Sequence, residues 1–314
     1  MVRKPFQMPM AALLAGAMLT GCSQPPSTPA PQSVAEAPVE QPASDPDVFR
    51  FRIGALEAAA LKDGDIDVAN DGSVFGVGQP IDDVAALLAG AGLPTDTLHL
   101  SIQPLLVRDG ARILLFDTGA GDADFARAGR LPASLEHAGV APAQVTDIFL
   151  SHAHPDHVGG LLSGEGGLAF PNAVVHISAP EWSALKAQAE SAALVEAIAP
   201  KVVPFEPGAA VLPGVVRALA VDGHTPGHSA YEIASGDARL LYIGDTVHHH
   251  VISLRHPEWT VRFDGNAPLA EASRRTLLQR AADEDLRVYA VHFPFPGLGR
   301  IESGQGGFVW TPER

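Results

Sequence analysis

Cysteine is all but missing from this 314-residue chain: the only one is Cys22. The chain beyond it therefore has no disulfide, no thiolate metal ligand and no cysteine nucleophile. Basic residues are scarce as well, 21 Lys and Arg against 36 Asp and Glu, for a net charge of −15. Phosphate backbones are bound by clustered Lys and Arg, so this balance argues against a nucleic-acid partner and makes any polyanion awkward. A neutral, partly apolar small molecule fits better. The apolar run at residues 8–19 is too short to span a bilayer as a mature helix.

Histidine, by contrast, is concentrated. Ser151-His152-Ala153-His154-Pro155-Asp156-His157 sets three imidazoles and a carboxylate directly after the apolar run Ile148-Phe149-Leu150. Imidazole nitrogen and carboxylate oxygen are the ligands that zinc and its divalent neighbours favour. Histidines at i and i+2 can point to one side of an extended turn, and the Asp156-His157 pair aims at a second point nearby. That is enough to begin two metal sites and too much for one tetrahedral ion. Further candidates close later apolar runs. His224 and His228 lie in Gly223-His224-Thr225-Pro226-Gly227-His228, Asp245 follows Leu240-Leu241-Tyr242-Ile243-Gly244, and His292 follows Val288-Tyr289-Ala290-Val291. Active sites gather where strand ends open onto loops, because the sheet holds those ends rigidly.

This order of motifs resembles the metallo-β-lactamase-fold hydrolases, whose signature is HxHxDH followed by a distant His, Asp and His. The resemblance implies an α/β (α+β) fold, a four-layer αββα sandwich. It assigns His152, His154 and His224 to one metal ion and Asp156, His157 and His292 to a second, with Asp245 bridging the two. His224 is preferred to His228 because the family ligand is the first His of Gly-His-Thr-Pro-Gly-His, which leaves His228 outside the ligand set. Asp117, in Asp117-Thr118-Gly119, matches a family turn whose Asp supports the ligand loop by hydrogen bonding. Asp156 and Asp245 are then the carboxylates of the catalytic centre. The implied cofactor is a pair of divalent ions, zinc first, with manganese, cobalt or iron as alternatives. Two such ions about 3.5–4 Å apart can share a bridging hydroxide, and metal binding lowers the pKa of water from about 15.7 to about 7. Ser151 has no free general base and reads as structural.

The stretches at 291–301, 169–173 and Gly307-Phe308-Val309-Trp310 look like the methyl parathion hydrolase branch, whose members hydrolyse organophosphate triesters, aryl esters or lactones. The expected activity is hydrolysis of a neutral small-molecule ester of these kinds. Lactonases of the superfamily often carry Tyr three residues after the bridging Asp; here the position holds His248. His248 and Trp182 are the candidates for the substrate pocket, with Trp259 and the neighbours His249 and His250 behind them. A β-lactam-hydrolysing enzyme is the first rival, but it would lack the bridging Asp found at Asp245. An iron-dependent persulfide dioxygenase does not account for residues 291–301, and a non-catalytic binding lipoprotein does not account for a complete ligand set.

Residues 1–22 read as an address, not as structure. Arg3 and Lys4 precede the apolar stretch, and Leu19-Thr20-Gly21-Cys22 resembles a bacterial lipobox. Cleavage there would leave Cys22 as a lipid-modified amino terminus. The neutral Ser23 then favours anchoring at the periplasmic face of the outer membrane. Residues 23–47 hold seven prolines and no aromatic residue, a tether that cannot offset its conformational entropy by burial. Residues 48–314 are long enough for one large domain, and a homodimer is compatible with this reading. Within the domain, residues 98–107 and 113–116 read as a hairpin about Asp109-Gly110, and residues 180–198 and 267–282 as helices. Residues 55–61 have helical propensity, but the resemblance implies an early strand pair, and a strand is expected there.

Overall fold

The computed structural model describes Val2 and residues 45–164, 166–304 and 306–313. The lipobox with Cys22 lies outside the described residues, as does the expected tether up to residue 44. Its last residues are tied to the domain. His137 Nδ1 lies 2.6 Å from Asp45 Oδ2, Lys62 N donates to Asp47 O at 2.8 Å, and Arg130 pairs with the Asp47 carboxylate at 3.2 Å. Among the described residues, no helix is long and apolar enough to cross a membrane.

The first half of the chain runs through β1 (Val48–Ile53), β2 (Leu56–Leu61), β3 (Gly64–Ala69), α1 (Ile81–Gly90) and β4 (Thr97–Ile102). It continues through β5 (Leu105–Asp109), β6 (Arg112–Phe116), α2 (Leu131–His137), β7 (Asp147–Phe149), α3 (Pro155–Val158) and β8 (Val174–Ser178). Helices α4 (Ala179–Ala187) and α5 (Ala192–Ile198) then lead to β9 (Val202–Phe205). The second half is β10 (Val216–Ala220), β11 (Ser229–Ser235), β12 (Ala238–Tyr242), α6 (Ile252–Arg255), α7 (Ala267–Asp283), β13 (Arg287–Tyr289), β14 (Leu298–Gly304) and β15 (Gly307–Pro312).

These strands form a seven-stranded sheet in the order β1-β2-β5-β6-β7-β8-β9 and a six-stranded sheet in the order β10 to β15. A separate pair, β3-β4, stands apart from both. The two large sheets bury one core between them, with Phe116, Phe149, Tyr231, Tyr242 and Tyr289 all inaccessible to water. A second core lies between the seven-stranded sheet and α2, α4 and α5 through Leu131, Leu135, Leu185 and Ile198. A third packs Leu277, Leu278 and Ala281 of α7 against the six-stranded sheet. Helix, sheet, sheet, helix: this is the expected mixed αββα layering.

Local preferences yield to tertiary ones at three places. Residues 56–61 are rich in Ala and Leu but form a strand, because β2 is bonded on both sides, to β1 and to β5. The turn before it needs Gly54, at φ +56, where a Cβ would fall 2.6 Å from Ser235 O. The expected helix over 180–198 is broken at Gln188, which is extended at φ −88 and ψ 116. In one straight helix Leu185 and Ile198 would face nearly opposite sides; the break lets both reach the core. The run 98–107 is also two strands. Chain direction changes at Gln103-Pro104, so that β4 pairs with β3 and only β5 enters the hairpin with β6. The helix expected at 267–282 is present as α7, capped by Asn266 Oδ1 accepting from Leu269 N at 3.3 Å.

Phe149 lies between Phe116, at 4.9 Å centroid separation, and Tyr231, at 5.8 Å. Phe149→Ala should destabilise the fold by about 3–5 kcal/mol, read as a lowered urea midpoint at fixed metal loading. A change under about 1 kcal/mol would mean that the sandwich core closes over the cavity.

Candidate metal centre

The connections that carry the candidate residues leave the carboxyl-side ends of strands in both large sheets. Residues 151–157 follow β7, His224 follows β10, Asp245 follows β12 and His292 follows β13. Because β12 and β13 are parallel, their exits lie side by side. Gly244, at φ +49, makes the bend before Asp245, and a Cβ there would come within 2.7 Å of His228 Nε2.

Two groups result. His152, His154, His224 and Asp245 bring one potential ligand atom each to within 4.8 Å of one another, and Asp156, His157 and His292 do the same. In the first, His224 Nε2 lies 3.2 Å from His152 Nε2, 3.0 Å from His154 Nδ1 and 3.5 Å from Asp245 Oδ2. In the second, Asp156 Oδ2 lies 3.5 Å from His157 Nε2 and 3.3 Å from His292 Nε2. Asp245 turns its other oxygen, Oδ1, to that group, 3.2 Å from His157 Nε2 and 3.1 Å from His292 Nε2. One carboxylate thus faces both groups.

The far sides of the imidazoles are held by hydrogen bonds. His157 Nδ1 donates to Asp117 Oδ2 at 2.7 Å, His224 Nδ1 to Asp264 Oδ1 at 2.9 Å, and His292 Nδ1 to Ser101 O at 2.7 Å. Each of these turns Nε2 inward and, in the neutral ring, fixes the tautomer whose lone pair lies there. Asp117 sits at a left-handed φ of +57, sparsely populated for a residue with a side chain. There its carboxylate accepts from Ser151 N at 2.7 Å, Ser151 Oγ at 2.6 Å and Tyr242 Oη at 2.7 Å. Ser151 is thereby a brace. His228 lies in neither group; its Nε2 accepts from Asp245 N at 2.9 Å.

Sequence reasoning missed Glu181, Asp264 and Arg274. Glu181, in the first turn of α4, accepts from Ala153 N at 2.9 Å through Oε1, and from Thr225 Oγ1 at 2.7 Å and Gly227 N at 2.9 Å through Oε2. It ties the loop of His152 and His154 to that of His224. Nothing around it in the sequence separates it from an exposed acid at a helix start.

The electrostatics suit a dication. Three imidazole nitrogens crowd together in the first group, where burial lowers the pKa of His152 and His154 and takes His224 to about 4 despite Asp264. Neutral imidazoles are the form that binds metal. In the second group burial opposes charge on His157 and His292, but Asp245, Asp156 and, for His157, Asp117 outweigh it; His157 is raised and His292 reaches about 10. Burial likewise opposes charge on Asp156, but His157 and His292 hold it at about 2. Protons there supply the positive charge that the carboxylates require. Asp245 Oδ1 and His157 Nε2 are buried without a hydrogen-bond partner, as a coordinating pair would be. The residues fit two divalent ions.

A cavity of about 540 Å³ opens above the groups. His154, Asp156, Asp245, His248 and His292 form its polar floor, and Ile66, Val68, Val74, Leu100, Phe125 and Phe263 its apolar wall. Of the three adjacent histidines only His248 lines it, Nε2 at 3.4 Å from Asp245 Oδ2. His249 Nδ1 instead accepts from Val251 N and Ile252 N at the start of α6, and His250 packs toward Phe293 and Trp310. Trp182, expected in the pocket, is not there: it packs against the helix-side core of the seven-stranded sheet, with Lys186 Nζ 5.5 Å from its ring centroid. Trp259 stacks on His256 at 3.9 Å, also away from the cavity lining.

An αββα domain with two facing His/Asp groups at its strand ends has the makings of a metal-dependent hydrolase, and known proteins bear this out. The family model of the metallo-beta-lactamase superfamily matches residues 101–292, and the chain belongs to that superfamily. It is 34% identical to AidC, a dizinc quorum-quenching lactonase solved with a product, N-hexanoyl-L-homoserine; the match covers 85% of this chain and 97% of that one, with a TM-score of 0.79. The hydrolase AbOPH is 28% identical, with 85% and 98% coverage and a TM-score of 0.78. A protein of Mycobacterium bovis named as a probable metallo-hydrolase is 26% identical over 244 residues, 63% of this chain and 76% of its own length. The chain is a metal-dependent hydrolase.

Metal binding requires His157 and His292 to lose the protons that their raised pKa values retain at neutral pH. Zinc uptake at pH 7 should therefore release roughly two protons per chain, read by calorimetry in buffers of different ionisation heat, and affinity should rise with pH. The metal-free chain should show the converse. Stability from His292 is fully present below its unfolded value of about 6.5 and is lost as pH rises through about 10. Buffer-independent heats would contradict the charge assignment.

Proposed function

We propose that this chain hydrolyses a neutral ester, foremost a lactone or aryl ester carrying an apolar arm, at a dinuclear centre. His152, His154 and His224 would hold one ion, Asp156, His157 and His292 the other, and Asp245 both. The observation that carries this reading is the shape of the cavity: an apolar wall that ends on Asp245, between the two groups. When bound, the ions would supply Lewis acidity and an activated water at neutral pH.

The chain's own groups suit the rest. Phe125 and Phe263, 51% and 41% exposed, stand where an apolar arm would enter. Both ring nitrogens of His248 are buried without a hydrogen bond, so one can donate to a substrate oxygen on the cavity floor. An uncharged substrate also accords with a chain of net charge −15. Organophosphate triesters, which the methyl parathion hydrolase-like stretch at 291–301 suggests, make the same demands on the floor and are the second substrate class to try.

Full-length protein loaded with zinc or manganese should carry close to two ions per chain and lose hydrolysis reversibly on chelation. In a series of lactones with lengthening acyl chains, KM should fall by up to about fourfold per methylene until the cavity is full. Turnover of nitrocefin alone, or a single iron with oxygen uptake, would refute the assignment.

We also propose that Cys22 is the acylated amino terminus of an envelope protein, a reading supported by Leu19-Thr20-Gly21-Cys22. Wild type should label with palmitate and fractionate with membranes, and Cys22→Ala should remain unlabelled. A chain starting at residue 45, which keeps the Asp45 and Asp47 contacts, should be soluble and retain the full hydrolytic rate. Palmitate label on Cys22→Ala would rule the site out.

A further inference from the structure

Among the described residues, Arg274 on α7 is the largest side chain fully withdrawn from solvent. It lies on the buried face of α7 with Ala270, Leu277 and Leu278, and its guanidinium reaches the base of the site. Nε donates to Thr246 O at 2.8 Å, Nη1 to Pro257 O at 3.0 Å and Trp259 O at 3.4 Å, and Nη2 to Asp264 Oδ2 at 2.7 Å. Asp264 is as deeply buried, and its Oδ1 receives His224 Nδ1–H. A buried ion pair of this kind adds little net stability over apolar packing of the same volume. Here, however, every acceptor lies on a segment that carries or supports a residue of the site. Thr246 follows Asp245, Asp264 orients His224, and Pro257 and Trp259 begin the segment that delivers Phe263 to the cavity wall.

The other group has no such connection. His157 is held by Asp117 and His292 by Ser101 O, on elements that the guanidinium does not touch. Asp245 has its own support in the His228 bond to its N–H.

We infer that Arg274 is a positioning residue that couples the His152–His154–His224 group to the apolar wall of the substrate cavity. It holds Asp264 against His224 with one edge and the backbone of the Phe263 segment with the other. Metal affinity at that group and preference for an apolar arm therefore depend on one side chain. This rests on the dinuclear reading above and adds the residue that sets two of its properties together.

The test uses full-length protein stripped of metal and titrated with zinc against a chromophoric chelator, alongside KM for the acyl-lactone series. Asp264→Asn, which keeps the shape but not the charge, should weaken one of the two zinc constants by about 10–100-fold and leave the chain-length trend of KM in place. Arg274→Gln should weaken the same constant and also flatten the trend, whereas Phe263→Ala should flatten it with both zinc constants unchanged. Arg274→Lys, which keeps a buried cation but cannot make all four bonds, should lie between wild type and Arg274→Gln in both readouts. That intermediate serves if Arg274→Gln fails to fold by circular dichroism. To identify the ion affected, Asp264→Asn is repeated with His292→Ala, where the zinc that remains should bind more weakly, and with His154→Ala, where it should not. Equal weakening of both ions, or an Arg274→Lys protein with wild-type zinc constants and KM trend, overturns the inference. A wild-type chain that binds fewer than two zinc ions refutes the dinuclear reading itself.

Discussion

The carboxylate of Asp245 is the point on which the site depends. It is 4% exposed and stands between two sets of imidazoles, Oδ2 toward one and Oδ1 toward the other. A charge so buried is tolerable only if opposite charge meets it at short range in fixed geometry. Four loops must therefore arrive at one place within a few tenths of an ångström. Two sheets packed over an aromatic core supply that rigidity, because strand ends bonded to neighbours cannot drift as free loops do. The bend at Gly244 and the His228 bond to Asp245 N fix the last residue in the set.

Buried side chains behind the histidines complete the arrangement. Asp117 accepts an unfavourable left-handed backbone and in return gathers four hydrogen bonds onto one carboxylate, including that of His157. Glu181 joins the two loops that carry His152, His154 and His224, and Asp264 with Arg274 orients His224 from the opposite side. Each ring so held keeps one nitrogen toward the centre and need not reorient to bind a cation, although His157 and His292 must first give up a proton. Above it, the β3-β4 pair contributes Ile66, Val68 and Leu100 to the cavity wall, so the one small sheet that stands apart from the sandwich faces the substrate's side of the site.

Much of this was legible in the chain. A dense run of His and Asp after Ile148-Phe149-Leu150, followed by single His and Asp residues after later apolar runs, points to metal chemistry through residue type and spacing alone. The αββα layering and the strand at 56–61 came instead from the family resemblance, against the helical propensity of Ala and Leu. The hairpin of β5 and β6 and the helix α7 were legible because turn and cap signals are local. Local signals failed at Gln188 and Gln103-Pro104, where distant packing decides whether a helix continues or a strand changes sheets. Trp182 failed for a similar reason: an aromatic side chain suits a pocket and a core equally until the sheet beneath it is in place.

The sequence by itself determined which groups are available: imidazoles and carboxylates, no thiolate beyond Cys22, few cations, and a pattern that puts each ligand type just past an apolar run. Which of those groups meet was decided only in three dimensions. Asp264 lies 40 residues from His224 and Glu181 lies 28 from Ala153, so no local pattern marks either pairing. Arg274 reads as an ordinary cation on a helix until burial strips it of water and leaves it only the acceptors around the centre. Residue type is a local property of the chain. The tautomer of a histidine, the charge around a carboxylate and the shape of a cavity depend on neighbours that only the folded chain brings together.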